Sequence, residues 1–138
     1  MINNLNELLK QLITLHPKYI DLSLSRLSKL LIKLKNPHLK LPPIIHIAGT
    51  NGKGSTLSYI KQILIENNLN VHAYISPHLK HFNERIIISN NEIKNNQLIK
   101  TLNFVKKINA NQPITFFEIT TAAAFYLFSK NKADFLIL

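Results

Sequence analysis

IIHIAGTNGKGS, residues 44–55, decides how the chain reads: a β-branched run enters a glycine-spaced turn bearing Lys53 and Ser55, and a helical pattern follows. Strand, glycine turn and helix N-terminus in that order make a cradle for phosphate. Gly49, Gly52 and Gly54 are able to take positive φ, which lets successive backbone N–H groups converge on an anion, while the helix adds the positive end of its dipole. The nucleotide-binding set is Gly49, Thr50, Asn51, Gly52, Lys53, Gly54 and Ser55. Lys53, the candidate catalytic residue, is placed for the β and γ phosphates, and Ser55 or Thr56 supplies a hydroxyl to Mg²⁺. The stretch departs twice from G-x-x-x-x-G-K-[ST]: Ile47 stands at the first glycine and Gly54 at the hydroxyl position. A chance glycine-rich turn is the alternative, and the flanking strand and helix count against it.

Upstream, Leu5, Leu8, Leu9 and Leu12, then Leu24, Leu27, Leu31 and Leu34, recur at helical spacing, with Pro17 between them. They predict two amphipathic helices, the second fading by Asn36 and Pro37. Asp21 stands close enough to cap the second one. Downstream, strands are expected at 44–48 and 71–75, with a third extended run at 84–89. Asn90 and Asn91 signal a turn into a helix carrying Leu98, Leu102 and Val105, and another helix spans about 116–130. Leu57, Ile60 and Leu64 mark the core face of the helix after the glycine turn, and His46 reads as a packing residue within its strand. DFLIL, 134–138, is a continuous apolar run of the kind buried on both faces in a central parallel strand.

Four segments carry a family resemblance. GTNGKGS resembles the ATP loop of folylpolyglutamate synthases and dihydrofolate synthases, members of the Mur ligase superfamily. LHPKYIDLSLSR, 15–26, is similar to the family's amino-terminal folate-site segment, and YISPHLKHFNERI, 74–86, and TFFEITTAAAF, 115–125, follow in the family's order. The fold expected is α/β, a three-layer P-loop Mur-ligase-like domain with a mostly parallel sheet, truncated and preceded by two amphipathic helices. Residues 1–40 are then an amino-terminal helical segment on the folate side and 41–138 a partial ATP-binding α/β domain, with the carboxy-terminal ligase domain absent.

The resemblance implies ATP-dependent ligation of L-glutamate to folate or dihydropteroate through an acyl phosphate, with ATP and Mg²⁺ required. It implies that Ser76, in SPH, is a Mg²⁺ ligand; a turn or helix-capping hydroxyl is the plainer reading. Asp21 and Leu22, with Thr115, Phe116, Phe117 and Glu118, correspond to the family's two stretches of folate or pteroate contact. Aromatic faces suit a flat pterin and a carboxylate accepts its N–H groups, whereas the plain alternative makes the phenylalanines helix core and Glu118 a first-turn carboxylate.

The chain departs from the family where it stops: Leu138 precedes the acidic metal ligand and glycine-rich segment expected next, and Ser23 replaces a common glycine. The expectation is a chain inactive or incomplete alone, with a separate chain as the partner that supplies the rest. The alternatives are a non-catalytic nucleotide-binding remnant and a basic nucleic-acid-binding protein.

Composition bounds these readings. The net charge of +10 favours anionic ligands, but the lysines are scattered through the chain, which argues against a specific nucleic-acid surface. Cysteine is absent, so disulfides and thiolate metal sites are excluded. His78 and His81 near Glu84 make only a weak transition-metal cluster. MINNLNELLK lacks the pattern of a secretory signal and no apolar run approaches a membrane span, so a cytoplasmic protein without a membrane partner is expected.

Overall fold

The computed structural model describes residues 4–16 and 23–138. The chain divides into two compact units: residues 1–40 with 94–127, and residues 41–93 with 128–138. The first division falls after Lys40, and 94–127 group with the amino-terminal helices.

The first unit is helical. Helix α1, Leu5–Ile13, starts at Asn4, whose side chain accepts from the amides of Asn6 and Glu7, a cap that satisfies two of the otherwise unpaired first-turn donors. Leu8 and Leu12 form its fully buried stripe. Helix α2, Ser25–Lys33, buries Leu30 and Leu31, and Leu34 just beyond it is also buried. Leu24 is not part of the expected stripe: it is the N-cap residue, ahead of the first turn of α2, and is 72% exposed. Lys35 and Asn36 take positive φ and end the helix, and a 3₁₀ turn follows at Pro37–Lys40.

Helix α4, Asn95–Asn109, buries Leu98, Leu102 and Val105 and packs on α1 and α2, with Lys106 Nζ donating to Gln11 Oε1 at 2.6 Å. Helix α5, Phe116–Phe128, buries Ile119 and Ala122 to Ala124, and its Tyr126 meets Phe104 of α4 at 5.0 Å between ring centroids. No described helix is long and apolar enough to cross a membrane.

The second unit is a five-stranded sheet ordered β1-β5-β2-β3-β4, where β1 is Ile44–Ile45, β2 Val71–Tyr74, β3 Ile86–Ile88, β4 Asn91–Glu92 and β5 Phe135–Ile137. As expected, DFLIL supplies the central strand: β5 pairs in parallel with β1 and with β2, and Leu136 and Ile137 have no exposure. The sheet is mixed rather than mostly parallel, because β3 runs antiparallel to both β2 and β4. Ile88 pairs with Asn91 across a two-residue turn, Ser89 and Asn90, both at positive φ. That is the hairpin geometry matching strand twist, so the asparagine signal makes a hairpin and the next helix waits until Asn95.

β1 is shorter than 44–48, although the ladder continues as Leu138 N donates to Ile45 O and Ile47 N to Leu138 O. Ile45 and Ile47 pack toward the core. His46, between them, takes the opposite direction of the pleat and is exposed, so it is not a packing residue. Helix α3, Lys53–Glu66, buries Leu57 against Val71, Ala73, Ile87 and Ile137, with Ile60 and Leu64 beside it, the expected face.

His72 of β2 is fully buried and ties three segments together. Its Nδ1 accepts from Ser89 N at 3.1 Å, its Nε2 donates to Asn131 O at 3.1 Å, and its ring stacks on Phe128. Both bonds require the neutral ring with its proton on Nε2. Burial lowers its pKa, with the Asn131 carbonyl pulling weakly the other way. The unfolded state therefore binds the extra proton first, so stability is complete above about pH 6.5 and falls below it, by at most about 1.4 kcal/mol per pH unit. Thermal unfolding from pH 8 to 5 should show this slope in the parent and lose it in His72→Gln; equal slopes would place the titration elsewhere.

Candidate nucleotide and pteridine sites

Residues 49–55 of the glycine turn and Ser76 all lie in the sheet-containing unit. Because β1 and β2 run parallel on either side of β5, both leave the sheet at the same edge. Ile45 and Ala73 are both in register with Ile137, so the segments that follow them start level, roughly 10 Å apart across the intervening strand.

Gly49 has φ +157° and Gly52 φ +75°, conformations a side chain rarely adopts. Gly54 does not share this backbone geometry. It lies one residue inside α3, beyond the Gly52 N-cap, and is helical. Nothing lies within 4 Å of where a Cβ on Gly52 or Gly54 would stand. The first bond of α3 runs from Thr56 N to Gly52 O at 2.9 Å, so the N–H groups of Lys53, Gly54 and Ser55 precede the helical ladder. Lys53 folds back over the loop, its Nζ donating to the carbonyls of Gly49 and Thr50. Thr56 Oγ1 donates to Gly52 O at 2.9 Å, whereas Ser55 is exposed in the first turn and makes no side-chain bond among the described residues.

Ser76 is exposed, two residues past β2. Its Oγ accepts from Arg85 Nη1 at 3.4 Å, and Arg85 Nε donates to His78 Nδ1 at 2.9 Å. The same guanidinium stands 5.2 Å from the Phe82 ring centroid, at cation–π range. Glu84, in the 3₁₀ turn Phe82–Arg85, collects the amides of Leu79, Lys80 and His81 at 2.7 to 2.9 Å. Those bonds, the His81 amide foremost, push its pKa down to about 2. His81 lies between Glu84 and Glu92 at 3.3 and 3.1 Å. His78, His81 and Glu84 are thus engaged with protein partners, and no three His, Cys, Asp or Glu side chains among the described residues are arranged to hold a metal ion.

Thr115 to Glu118 belong to the helical unit, whereas Asp21 and Leu22 lie outside the described residues. Thr115 N and Oγ1 both donate to Glu118 Oε2 at 2.8 Å, and Glu118 N donates to Thr115 Oγ1 at 3.3 Å, a capping box opening α5. Arg26 Nε of α2 adds an ion pair at 3.2 Å to the same oxygen. Glu118 Oε1 is buried without a hydrogen-bond partner among the described residues. Phe117 is 51% exposed and so is not helix core, whereas Phe116 is half-buried.

Arg26 and Arg85 were not singled out by sequence reasoning, although a signal for them exists. They are the two arginines of a chain with fifteen lysines: Arg26 reaches Glu118 through Nε, and Arg85 donates through two nitrogens of its planar fork.

A glycine turn that opens a helix beside a mixed sheet defines the class as an α/β fold, and known proteins narrow it. No family model matches. The Haemophilus influenzae dihydrofolate synthase/folylpolyglutamate synthase is 37% identical over 123 residues, 89% of this chain and 28% of that protein. The Saccharomyces cerevisiae dihydrofolate synthetase is 36% identical over 86% of this chain and 28% of its own length. An Escherichia coli FolC in complex with DHPP and ADP superposes with a TM-score of 0.89 at 32% identity, over 96% of this chain and 32% of that one. The bifunctional Yersinia pestis synthase complexed with AMPPNP and Mn matches at 0.87 and 32% identity, again over 96% and 32%. The chain belongs to the dihydrofolate synthase/folylpolyglutamate synthase family over the part that it spans, which is about a third of the length of these relatives.

Replacing Glu84 by Gln leaves one amide oxygen where a carboxylate serves three N–H groups. Hydrogen exchange at Leu79, Lys80 and His81 should accelerate at least several-fold at pH 7 while the β2 amides keep their protection. Unchanged exchange at the three turn amides would refute this role for the carboxylate.

Proposed function

We propose that this chain carries the nucleotide-binding and pteridine-binding parts of an ATP-dependent ligase joining L-glutamate to folate or dihydropteroate. The observation that carries the reading is the left-handed Gly52 cap opening α3 with Lys53 over the loop, in a segment that leaves the same sheet edge as the one carrying Ser76. The open space at Gly52 and Gly54 supports it, since no protein atom there demands a missing side chain.

In the proposed reaction a carboxylate of the pteroyl substrate takes the γ-phosphoryl group of ATP, releasing ADP, and the resulting acyl phosphate is attacked by the amino group of glutamate. An amide forms and inorganic phosphate leaves. The amides of Lys53, Gly54 and Ser55 hold phosphate oxygens at the positive end of α3. Lys53 Nζ leaves the Gly49 and Thr50 carbonyls for the β and γ phosphates, offsetting charge as the group transfers.

The oxygen donors fit a hard divalent cation: Ser55 has no competing side-chain bond among the described residues, and Ser76 exits at the same edge. Ser55 and Ser76 would hold Mg²⁺, which when bound supplies Lewis-acid neutralisation of phosphoryl oxygens. At the second site, Glu118 Oε1 accepts a ring N–H of the pterin and Phe117 offers it an aromatic face.

Calorimetry tests both sites separately. Lys53→Ala should weaken Mg²⁺-ATP at least tenfold without altering dihydropteroate binding. Either no nucleotide uptake by the parent chain or equal affinity in the variant overturns the nucleotide reading. Glu118→Gln should do the reverse, weakening dihydropteroate about tenfold and sparing ATP; unaltered dihydropteroate affinity rejects the carboxylate's role.

A further inference from the structure

Arg85 is a costly residue to explain as ordinary surface charge. In a chain that uses lysine fifteen times and arginine twice, a cation needed only for solubility would be expected as lysine. What Arg85 does requires more than charge: one planar group donates through Nε to His78 Nδ1 at 2.9 Å and through Nη1 toward Ser76 Oγ at 3.4 Å, while lying 5.2 Å from the Phe82 ring centroid. A lysine ammonium has neither the two diverging donors nor the flat face. The His78 ring also meets Phe82 edge-on at 5.9 Å, so the guanidinium, the imidazole and the phenyl ring form one cluster.

The cluster acts on a segment with little else to hold it. Residues 75–80 carry no regular secondary structure, and Ser76, Pro77, Leu79 and Lys80 are exposed. At the near end Ile75 N donates to Arg85 O at 2.9 Å, and at the far end Glu84 gathers the amides of Leu79 to His81. Between these anchors, Ser76 and His78 meet the rest of the described unit through the Arg85 and Phe82 cluster.

We propose that Arg85 is the positioning residue of the Ser76 hydroxyl, clamping the Ser76–His78 turn through His78 so that Ser76 Oγ is presented to a divalent cation at the sheet edge. The proposal rests on the reading of Ser76 as a cation ligand. Its strength lies in the His78 bond, since the 3.4 Å contact to Ser76 is too long to fix a hydroxyl by itself. When a cation arrives, that long contact yields and the His78 bond remains.

The test is Mn²⁺ binding to the full chain with saturating ADP, read by electron paramagnetic resonance, beside metal-free ADP affinity read by calorimetry. Arg85→Lys keeps the positive charge, so repulsion toward the cation is unaltered and positioning alone is lost. It should weaken Mn²⁺ about fivefold and leave metal-free ADP affinity unchanged. His78→Phe preserves an aromatic ring but removes the acceptor, and should weaken Mn²⁺ by a similar factor. The double variant Ser76→Ala with Arg85→Lys should bind Mn²⁺ no more weakly than Ser76→Ala alone, the non-additivity expected of residues acting through one atom. Full Mn²⁺ affinity in Arg85→Lys or His78→Phe, or strict additivity with Ser76→Ala, overturns the positioning role. If Ser76→Ala itself leaves Mn²⁺ affinity intact, or the parent chain takes up no Mn²⁺, the ligand reading of Ser76 fails first and the proposal falls with it.

Discussion

The hydrogen bonding of β5 to a parallel neighbour on each side is the constraint on which the sheet-containing unit depends. Ile137 faces Ile45 on one side and Ala73 on the other, so two segments far apart in sequence leave the sheet level with each other. A slip of one residue in either pairing would turn Ile45 or Ala73 to the wrong face and shift Lys53 relative to Ser76 by more than 3 Å. The apolar packing of Leu57 with Val71, Ala73, Ile87 and Ile137 opposes such a slip. The register that positions the site is therefore held by the same residues that bury the core.

Much of this was legible because it is local. The strand before the glycine turn, the α3 face and the central position of DFLIL follow from apolar periodicity and from the burial that parallel strands require. Strand direction is not local, and there the reading failed. The run at 84–89 gives the same pattern whether it pairs parallel or antiparallel, and only the left-handed Ser89 and Asn90 show that it turns back into a hairpin. Gly54 and His46 failed for a related reason. Composition gives what a residue is able to do, whereas the position of the helix cap and the phase of the pleat decide what it does.

The site divides in the same way. Lys53 and the glycines around it announce themselves in sequence, because the loop needs them within a few residues of one another. Arg26 gave no such sign, because its partner Glu118 lies 92 residues away and only tertiary structure joins them. Arg85 is nearer its partners, yet its role depends on the return of the chain through the 3₁₀ turn beside Phe82. In a lysine-rich chain the scarcity of arginine was the available clue, and it points to geometry rather than to charge.

Glu118 shows why a capping role and a ligand role are not competing explanations. Oε2 is committed to Thr115 N, Thr115 Oγ1 and Arg26, which fixes the carboxylate plane and offsets much of the cost of burying its charge. Oε1 remains buried without a described partner, an arrangement that costs on the order of 1–3 kcal/mol for a polar group. A capping box alone needs one oxygen, and an exposed glutamate would supply it without that cost. In the proposed reading the second oxygen, held in place by the work of the first, is the acceptor for a pterin N–H, its direction set by the capping box before any ligand binds.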